Sequence, residues 1–361
     1  MAHSSWSIPE SWQEAAHLIV ADRRPVRVMV VGAPDAGKTT FAAFLAEHAR
    51  QAGRRVGAVD ADVGQSSIGP PCVIGAGLAR GPIARLSSIP LQMAYFVGDV
   101  SPSGHMLACL TGCKTLTDRL RARGAEVIIV DTSGLVLGQA GQELKRRKAD
   151  LLRPHYIVVI QKGNELASLV ALWRYGPWRL VTLPASPAAR RRGPTERRAW
   201  RTGRFRAFFR DARPIQLDLR SVLVTGTRLT QGEPLTAEEI ATAQERLSVQ
   251  VVHGRRAADG WTLLTDDWVA RPRAQGLALA IGVPEVKCIA ARALAGLICG
   301  LHDRAGRLID LGLLQALELN DGVMSILAPH ADPSRVGMVE IGRLRLKADG
   351  EELGRLRPGD L

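Results

Sequence analysis

One octapeptide limits what this chain can fold into more than anything else in its 361 residues. Gly32-Ala33-Pro34-Asp35-Ala36-Gly37-Lys38-Thr39 fits the spacing G-x-x-x-x-G-K-[ST], and in a chain this poor in lysine a chance match is on the order of one percent. The apolar run Val26-Arg27-Val28-Met29-Val30-Val31 precedes it, and a helical pattern from Thr39 to Arg50 follows. The two glycines let the loop turn tightly, so that successive backbone N–H groups converge on phosphate oxygens. The start of the helix adds its partial positive charge at the same place. The spacing predicts a nucleoside triphosphate held by Gly32, Ala33, Pro34, Asp35, Ala36, Gly37, Lys38, Thr39 and Thr40. Lys38 reaches the β- and γ-phosphates and the Thr39 hydroxyl holds Mg²⁺.

The surrounding pattern places this loop in an α/β domain. A helix follows Pro9, and short apolar runs at Val56–Val59, Val127–Val130, Ile157–Ile160 and Leu180–Leu183 alternate with helical stretches at about 114–123, 142–152 and 166–175. That alternation predicts a P-loop NTPase three-layer sandwich, a mostly parallel sheet with helices on both faces. Past Pro184 the composition shifts to arginine interleaved with Trp200, Phe205, Phe208 and Phe209, and beyond Pro214 the pattern is strand-like. We expect a P-loop domain over 1–213, carrying an Arg-rich segment at about 186–210, and a smaller, mainly β domain over 214–361. In the latter, Leu314–Leu319 and Val323–Leu327 flank Asn320-Asp321-Gly322 as a hairpin, and 236–247 is the one expected helix.

Two groups of carboxylates fall where strands of such a sheet end. Asp131 follows Val127–Val130, where it can hold magnesium beside Thr39 or cap the Thr132-Ser133-Gly134 turn. Asp60 and Asp62 follow Val59, and ligands of parallel sheets bind at these carboxyl ends. Either can accept a proton from an attacking hydroxyl and approach the metal; Asp62 lies further past the strand and is the favoured reacting group. In the Arg-rich segment, Arg192 precedes the Gly193-Pro194 turn, and Arg197 and Arg201 stand four apart on one helix face, a spacing at which like charges repel unless an anion sits between them. Such arginines can neutralise a transferring phosphate. The alternative is a solvated basic face whose phenylalanines pack down.

The charge balance points the same way. Forty-eight Lys+Arg, mostly Arg, against 35 Asp+Glu give a net charge of +13. Arginine suits two-point contact with phosphate, and such an excess favours a polyanionic partner, unless a codon bias toward arginine explains it. No apolar run approaches the roughly 20 residues that span a bilayer, and the first residues lack the basic and apolar regions of a secretory signal. Five cysteines without a C-x-x-C pair read as reduced core thiols rather than a zinc site, so the chain is expected to be cytoplasmic.

Asp35 within the loop, Asp60-Ala61-Asp62-Val63-Gly64-Gln65, Pro70-Pro71 and Asp131-Thr132-Ser133-Gly134 together resemble the polynucleotide 5′-hydroxyl kinases, relatives of the kinase subunit of the pre-mRNA cleavage machinery and of the pre-rRNA-processing kinase. The likeness runs on through Ser101–His105, Leu144-Lys145 and Arg153-Pro154 to Gly300–Asp303. Leu135 stands where the family often has a tryptophan. The resemblance implies transfer of the γ-phosphate of ATP or GTP, with Mg²⁺, to the 5′-OH of a nucleic acid, RNA first with DNA left open. It also implies a mobile lid carrying arginines after the core sheet, here the segment from Arg190 to Arg201. With the residue readings above, Lys38, Asp62, Arg192, Arg197 and Arg201 are the expected catalytic set and Thr39, Asp62 and Asp131 the expected metal set. The alternative reading is a non-catalytic ATP-binding scaffold of an RNA-processing complex; a P-loop ATPase that drives a partner fits less well, because no clear water-positioning residue is present.

Overall fold

Apolar runs separated by amphipathic helices produce the order α1 (Glu10–Ala21), β1 (Val26–Gly32), α2 (Lys38–Gln51), β2 (Val56–Ala61), β3 (Val73–Leu78), β4 (Met93–Phe96), α3 (Met106–Ala122), β5 (Val127–Thr132), α4 (Gly138–Leu152), β6 (Tyr156–Gln161), α5 (Ala167–Trp173), β7 (Arg179–Pro184) and α6 (Pro194–Phe208) in the computed structural model. The structure describes residues 8–187, 190, 192–357 and 361; the lid positions 188, 189 and 191 and the N-terminal residues read above for a signal lie outside the described residues. The chain divides into two units, one ending at Arg204 and one beginning at Phe205. The division falls inside α6, whereas the sequence reading places it after residue 213.

In the first unit the strands run β4-β3-β2-β5-β1-β6-β7. β2, β5, β1, β6 and β7 are parallel. β1 shows why both faces are covered. Val28 and Val30 point to one side, into a core with Trp12, Phe41 and Leu45 of α1 and α2. Met29 and Val31 point to the other, into a core with Leu116, Leu144 and Trp173 of α3, α4 and α5. This period-two division is what a doubly covered parallel strand requires, and it is the expected three-layer α/β sandwich.

One edge departs from the expectation. β3 pairs antiparallel to β2, and β4 antiparallel to β3; neither was anticipated. β3 reads Val-Ile-Gly-Ala-Gly-Leu, and its glycines resemble turn residues. They are needed for close approach: a Cβ on Gly75 would lie 1.8 Å from the Ile68 carbonyl oxygen, and one on Gly77 2.0 Å from that of Pro90.

The second unit holds β8 (Arg213–Asp218), β9 (Leu223–Thr225), β10 (Glu233–Pro234), α7 (Ala237–Leu247), β11 (Val251–Ala257), β12 (Gly260–Thr265), α8 (Arg271–Ile281), β13 (Val286–Ala290), β14 (Leu297–His302), β15 (Leu308–Glu318), β16 (Val323–Ala328), β17 (Met338–Leu346) and β18 (Glu352–Arg355). One sheet runs β18-β17-β14-β15-β16-β8 with β9 beside β17, and a second runs β10-β11-β12-β13. β15 and β16 form the expected hairpin, Glu318 opposite Val323. α7 starts on a capping box: Thr236 accepts from the Glu239 N–H, and Glu239 accepts from the Thr236 N–H. α8 is a helix that the sequence reading missed. Pro272 and Gly276 look like breakers, but Pro272 sits at the helix start, where its missing N–H costs nothing. Ala274, Leu277 and Ala278 bury a face in the core that also takes Ala243 and Leu247. Among the described residues no helix is long and apolar enough to cross a membrane.

The backbone contact at β3 has a measurable consequence. Gly75→Ala must push β3 off Ile68 and should lower stability in urea by about 2–3 kcal/mol. Gly81→Ala, where a Cβ meets nothing within 4 Å, should leave the midpoint in place.

Candidate active site at the phosphate loop

β1 ends at Gly32, where a Cβ would stand 2.6 Å from the Ile160 carbonyl oxygen, so only glycine lets the chain leave the sheet there. Asp35 (φ 58°) and Gly37 (φ 99°) take left-handed conformations and close the loop before α2 begins at Lys38. Lys38 is buried and its Nζ donates to the Ala33 carbonyl oxygen at 2.9 Å, across its own loop. Burial lowers its pKa, and Asp131, Asp62 and Asp35 oppose that shift.

Parallel pairing of β1 with β5 sets Val30 beside Asp131. From there the buried carboxylate reaches the first turn of α2, where Thr39 Oγ1 donates to Asp131 Oδ2 at 2.5 Å. Burial raises the Asp131 pKa to about 6, with Lys38 and Thr39 pulling the other way. Its second oxygen, Oδ1, is buried and has no hydrogen-bond partner among the described residues. Asp131 is thus joined to the phosphate loop, not spent on capping the turn that follows it.

The neighbouring strand β2 separates the two other carboxylates by function. Asp60 is buried and accepts from the backbone N–H groups of Asp62 (3.0 Å), Ser67 and Ile68 (3.1 Å). Burial, then the charges of Asp131 and Asp62, raise its pKa well above the ordinary carboxylate value. Asp62 stands past the strand end; its Oδ1 accepts from Gly64 and Gln65 N–H, and the residue lines the cleft. Asp60 therefore braces the 61–68 loop and Asp62 faces the ligand space.

That space is a cleft of about 620 Å³, lined by Lys38, Thr39 and Asp62 and by Arg192, Arg197 and Arg201. Gly32, Ala33 and Ala36 build the loop without lining the cleft, and Asp131 meets it only through Thr39. Pro194 opens α6, so the expected turn at Gly193-Pro194 is the helix start. The anion that the lid arginines turn to is Asp35: it accepts from the Arg192 N–H at 2.9 Å and from the Arg197 guanidinium at 2.7 Å. Asp35 is thus shared by Arg192 and Arg197, and Arg201 lines the same cleft. Burial works against the Asp35 carboxylate, but these hydrogen bonds and charges outweigh it and hold its pKa below the usual value.

Three further residues shape the site and were not singled out. Trp200 lines the cleft, with the Arg204 guanidinium 5.6 Å from its ring centre; an aromatic residue among arginines in the lid was the available signal. Gln65 lines the cleft with both amide atoms buried and without hydrogen bonds among the described residues. Lys145 is buried in α4, and its Nζ donates to the Ser133 carbonyl oxygen at 2.6 Å. Its neighbour Gly134 abuts the loop, since a Cβ there would meet Pro34 at 2.7 Å. A lysine on the apolar face of α4, beside Leu144 and Leu152, was the sign.

Residues 32–211 match the family described as "mRNA cleavage and polyadenylation factor CLP1 P-loop". The chain is similar to a polyribonucleotide 5′-hydroxyl-kinase of Thermococcus kodakarensis, 34% identical over 100% of this chain and 99% of that protein. It is also similar to one of Pyrococcus furiosus, 31% identical over 98% and 97%. The chain belongs to the Clp1-type polyribonucleotide 5′-hydroxyl-kinase family. In fold it resembles Clp1p of the Clp1p–Pcf11p complex, with a TM-score of 0.61 and 13% identity over 92% of this chain and 79% of that one. Membership makes the loop a nucleotide-binding one and a nucleic acid the substrate class.

In this family member the lid arginines rest on an ionised Asp35. Asp35→Asn keeps the shape and removes the charge, so the lid should detach more often. Limited trypsin digestion without nucleotide should then cut at Arg192 and Arg197 several-fold faster than in the wild type, and added nucleotide should restore protection.

Proposed function

We propose that this chain transfers the γ-phosphate of ATP or GTP to the 5′-hydroxyl of RNA, with DNA as a further acceptor, and that Lys38, Asp62, Arg192, Arg197 and Arg201 carry the transfer. The supporting observation is that one cleft holds the phosphate-loop lysine, a carboxylate beyond the end of β2 and three arginines of the lid. A domain reading follows from it: the first unit, with the lid, is the kinase.

The loop N–H groups and the start of α2 bind the β- and γ-phosphates. Lys38 gives up the Ala33 carbonyl oxygen and takes the phosphate oxygens in exchange. The 5′-hydroxyl approaches Asp62, which takes its proton as the oxygen forms a bond to the γ-phosphorus and the bond to the nucleoside diphosphate breaks. Arg192 and Arg197 leave Asp35 for the more strongly charged phosphate, and with Arg201 they close over it. Water is then shut out and the hydroxyl is the nucleophile that remains. Mg²⁺ fits the residues present. Thr39 Oγ1 and the unpartnered, buried Asp131 Oδ1 are hard oxygen donors that would hold it, and Asp62, which lines the same cleft as Thr39, would be a third. The ion supplies neutralisation of phosphate charge. A cytoplasmic site of action suits the five free thiols.

Transfer of labelled γ-phosphate to 5′-hydroxyl RNA and DNA oligonucleotides is the deciding assay. Lys38→Ala should abolish transfer in a folded protein. Asp62→Asn should lower the rate by about 10²–10⁴ with a smaller change in nucleotide affinity, while Asp60→Asn should act on stability first. Arg197→Ala should reduce transfer far more than nucleotide binding, with Arg197→Lys a partial rescue, because a point charge cannot make a two-point phosphate contact. Nucleotide binding by the wild type without transfer to any 5′-hydroxyl end would favour the scaffold reading instead.

A further inference from the structure

The whole positive excess of the protein lies in the first unit: residues 1–204 hold 28 Lys+Arg against 15 Asp+Glu, while residues 205–361 hold 20 against 20. The lid accounts for only part of it. A second group lies at the opposite end of the parallel sheet, where β1, β2, β5, β6 and β7 begin, in the segments that lead into those strands. Arg24, Arg55, Arg121, Arg123, Arg153 and Arg179 are all exposed there.

Backbone contacts join these segments into one surface. The buried Arg54 guanidinium donates to the carbonyl oxygens of Asp22 (2.8 Å) and Arg24 (2.9 Å), tying the approach to β2 to that of β1. The Glu126 N–H donates to the Arg55 carbonyl oxygen, and the Arg55 guanidinium lies against Gly124. Arg27 donates to the Arg153 carbonyl oxygen at 2.8 Å, and the Arg179 N–H to that of His155. The carboxylates nearby are already engaged: Asp22 with Arg24, Asp118 with Lys114, Glu126 with Arg54 and the Arg55 N–H. Among the described residues, Arg55, Arg121, Arg123, Arg153 and Arg179 make no ion pair. Arg121 and Arg123 also suit the negative end of α3, but that does not account for Arg55 and Arg179, which stand at the starts of strands.

We propose that this end of the sheet is a second polyanion-binding surface, and that it takes the body of the RNA whose 5′ end enters the cleft. The inference rests on the kinase reading for the identity of its occupant. Unpaired exposed guanidinium groups match phosphodiesters, each contact releasing a condensed counterion. The seven residues of β1 separate the two sites by about 20 Å. Stacked nucleotides rise about 3.4 Å each, so a stacked acceptor needs roughly six nucleotides to touch both, and a tetranucleotide in that form touches one.

The test compares a 5′-hydroxyl tetranucleotide with a 30-nucleotide RNA by fluorescence anisotropy and by transfer. The wild type should bind the long RNA more tightly and phosphorylate it at lower KM. In Arg55→Ala/Arg121→Ala/Arg123→Ala/Arg179→Ala that advantage should fall about tenfold, with kcat on the tetranucleotide unchanged and the melting temperature not lowered. The salt slope for the long RNA should shrink by about 0.7 for each phosphate that is no longer neutralised. The double reversal Arg55→Glu/Arg179→Glu repeats the test at positions outside the helices and should give the larger effect. Retention of both the length advantage and the salt slope in both variants would overturn the proposal. So would polyglutamate binding that matches the long RNA at equal charge, which would make the surface a site for an acidic protein. Anisotropy needs no turnover, so a wild type that binds long RNA through these arginines but phosphorylates neither substrate would overturn the kinase reading and leave this surface standing.

Discussion

A hydroxyl joins the two halves of the site: Thr39 at the start of α2 donates to Asp131 at the end of β5. That contact needs β5 to lie directly beside β1 and in parallel, so that loop and carboxylate emerge at the same end of the sheet. It also places a buried lysine next to a buried carboxylate. Burying charge is costly unless each group is paired, and much of the surrounding structure meets that demand. Asp60 takes three backbone N–H groups of the 61–68 loop, which fixes where Asp62 stands. Lys145 holds the Ser133 carbonyl oxygen, which seats Gly134 against Pro34. One oxygen of Asp131 is left over, and a site built this way has a place for a cation.

The phosphate loop carries an acid at a position that the G-x-x-x-x-G-K-[ST] spacing leaves open. Asp35 sits in a left-handed conformation, at the loop's outer bend, where its carboxylate collects Arg192 and Arg197. In the proposed transfer a fixed carboxylate and a triphosphate would compete for the same arginines, and the triphosphate carries more charge. A lid ordered on Asp35 could then pass to the ligand, because its arginines would exchange one anion for another without being left unpaired.

The sequence showed the parallel core and the loop because both depend on local patterns: apolar runs covered on both faces, and a spacing that backbone geometry demands. Lys38, Thr39 and Asp62 were legible for that reason. What it hid depends on distant partners. β3 looks broken until Ile68 and Pro90 are seen lying against Gly75 and Gly77. α8 looks interrupted until Pro272 is seen at its first turn and Leu277 in the core. The 60-versus-62 choice turned on position relative to the strand end, which a sequence can suggest, whereas the bracing role of Asp60 depends on Ser67 and Ile68 folding back. Asp35 was read as one more member of the phosphate loop; its role as a lid anchor needs Arg197, 162 positions away.

Composition alone also left the meaning of the arginines open. A codon bias would scatter them without regard to acids, and both units would then show the same excess. The second unit is balanced, and several of its arginines pair with acids: Arg256 reaches Glu233 and Glu239, Arg228 reaches Asp259 and Glu285, and Arg292 reaches Asp267. Isolated surface pairs of this kind add little to stability, so their presence there marks the ordinary way a surface accommodates arginine. In the first unit the same residue type is gathered at both ends of one sheet: at one end Arg192 and Arg197 are held by a carboxylate of the phosphate loop, and at the other Arg55, Arg121, Arg123, Arg153 and Arg179 make no ion pair among the described residues. Crowding like charges costs stability. The unit that bears this cost is the one that carries the phosphate loop, which is where the proposed recognition of polyanions would place the excess.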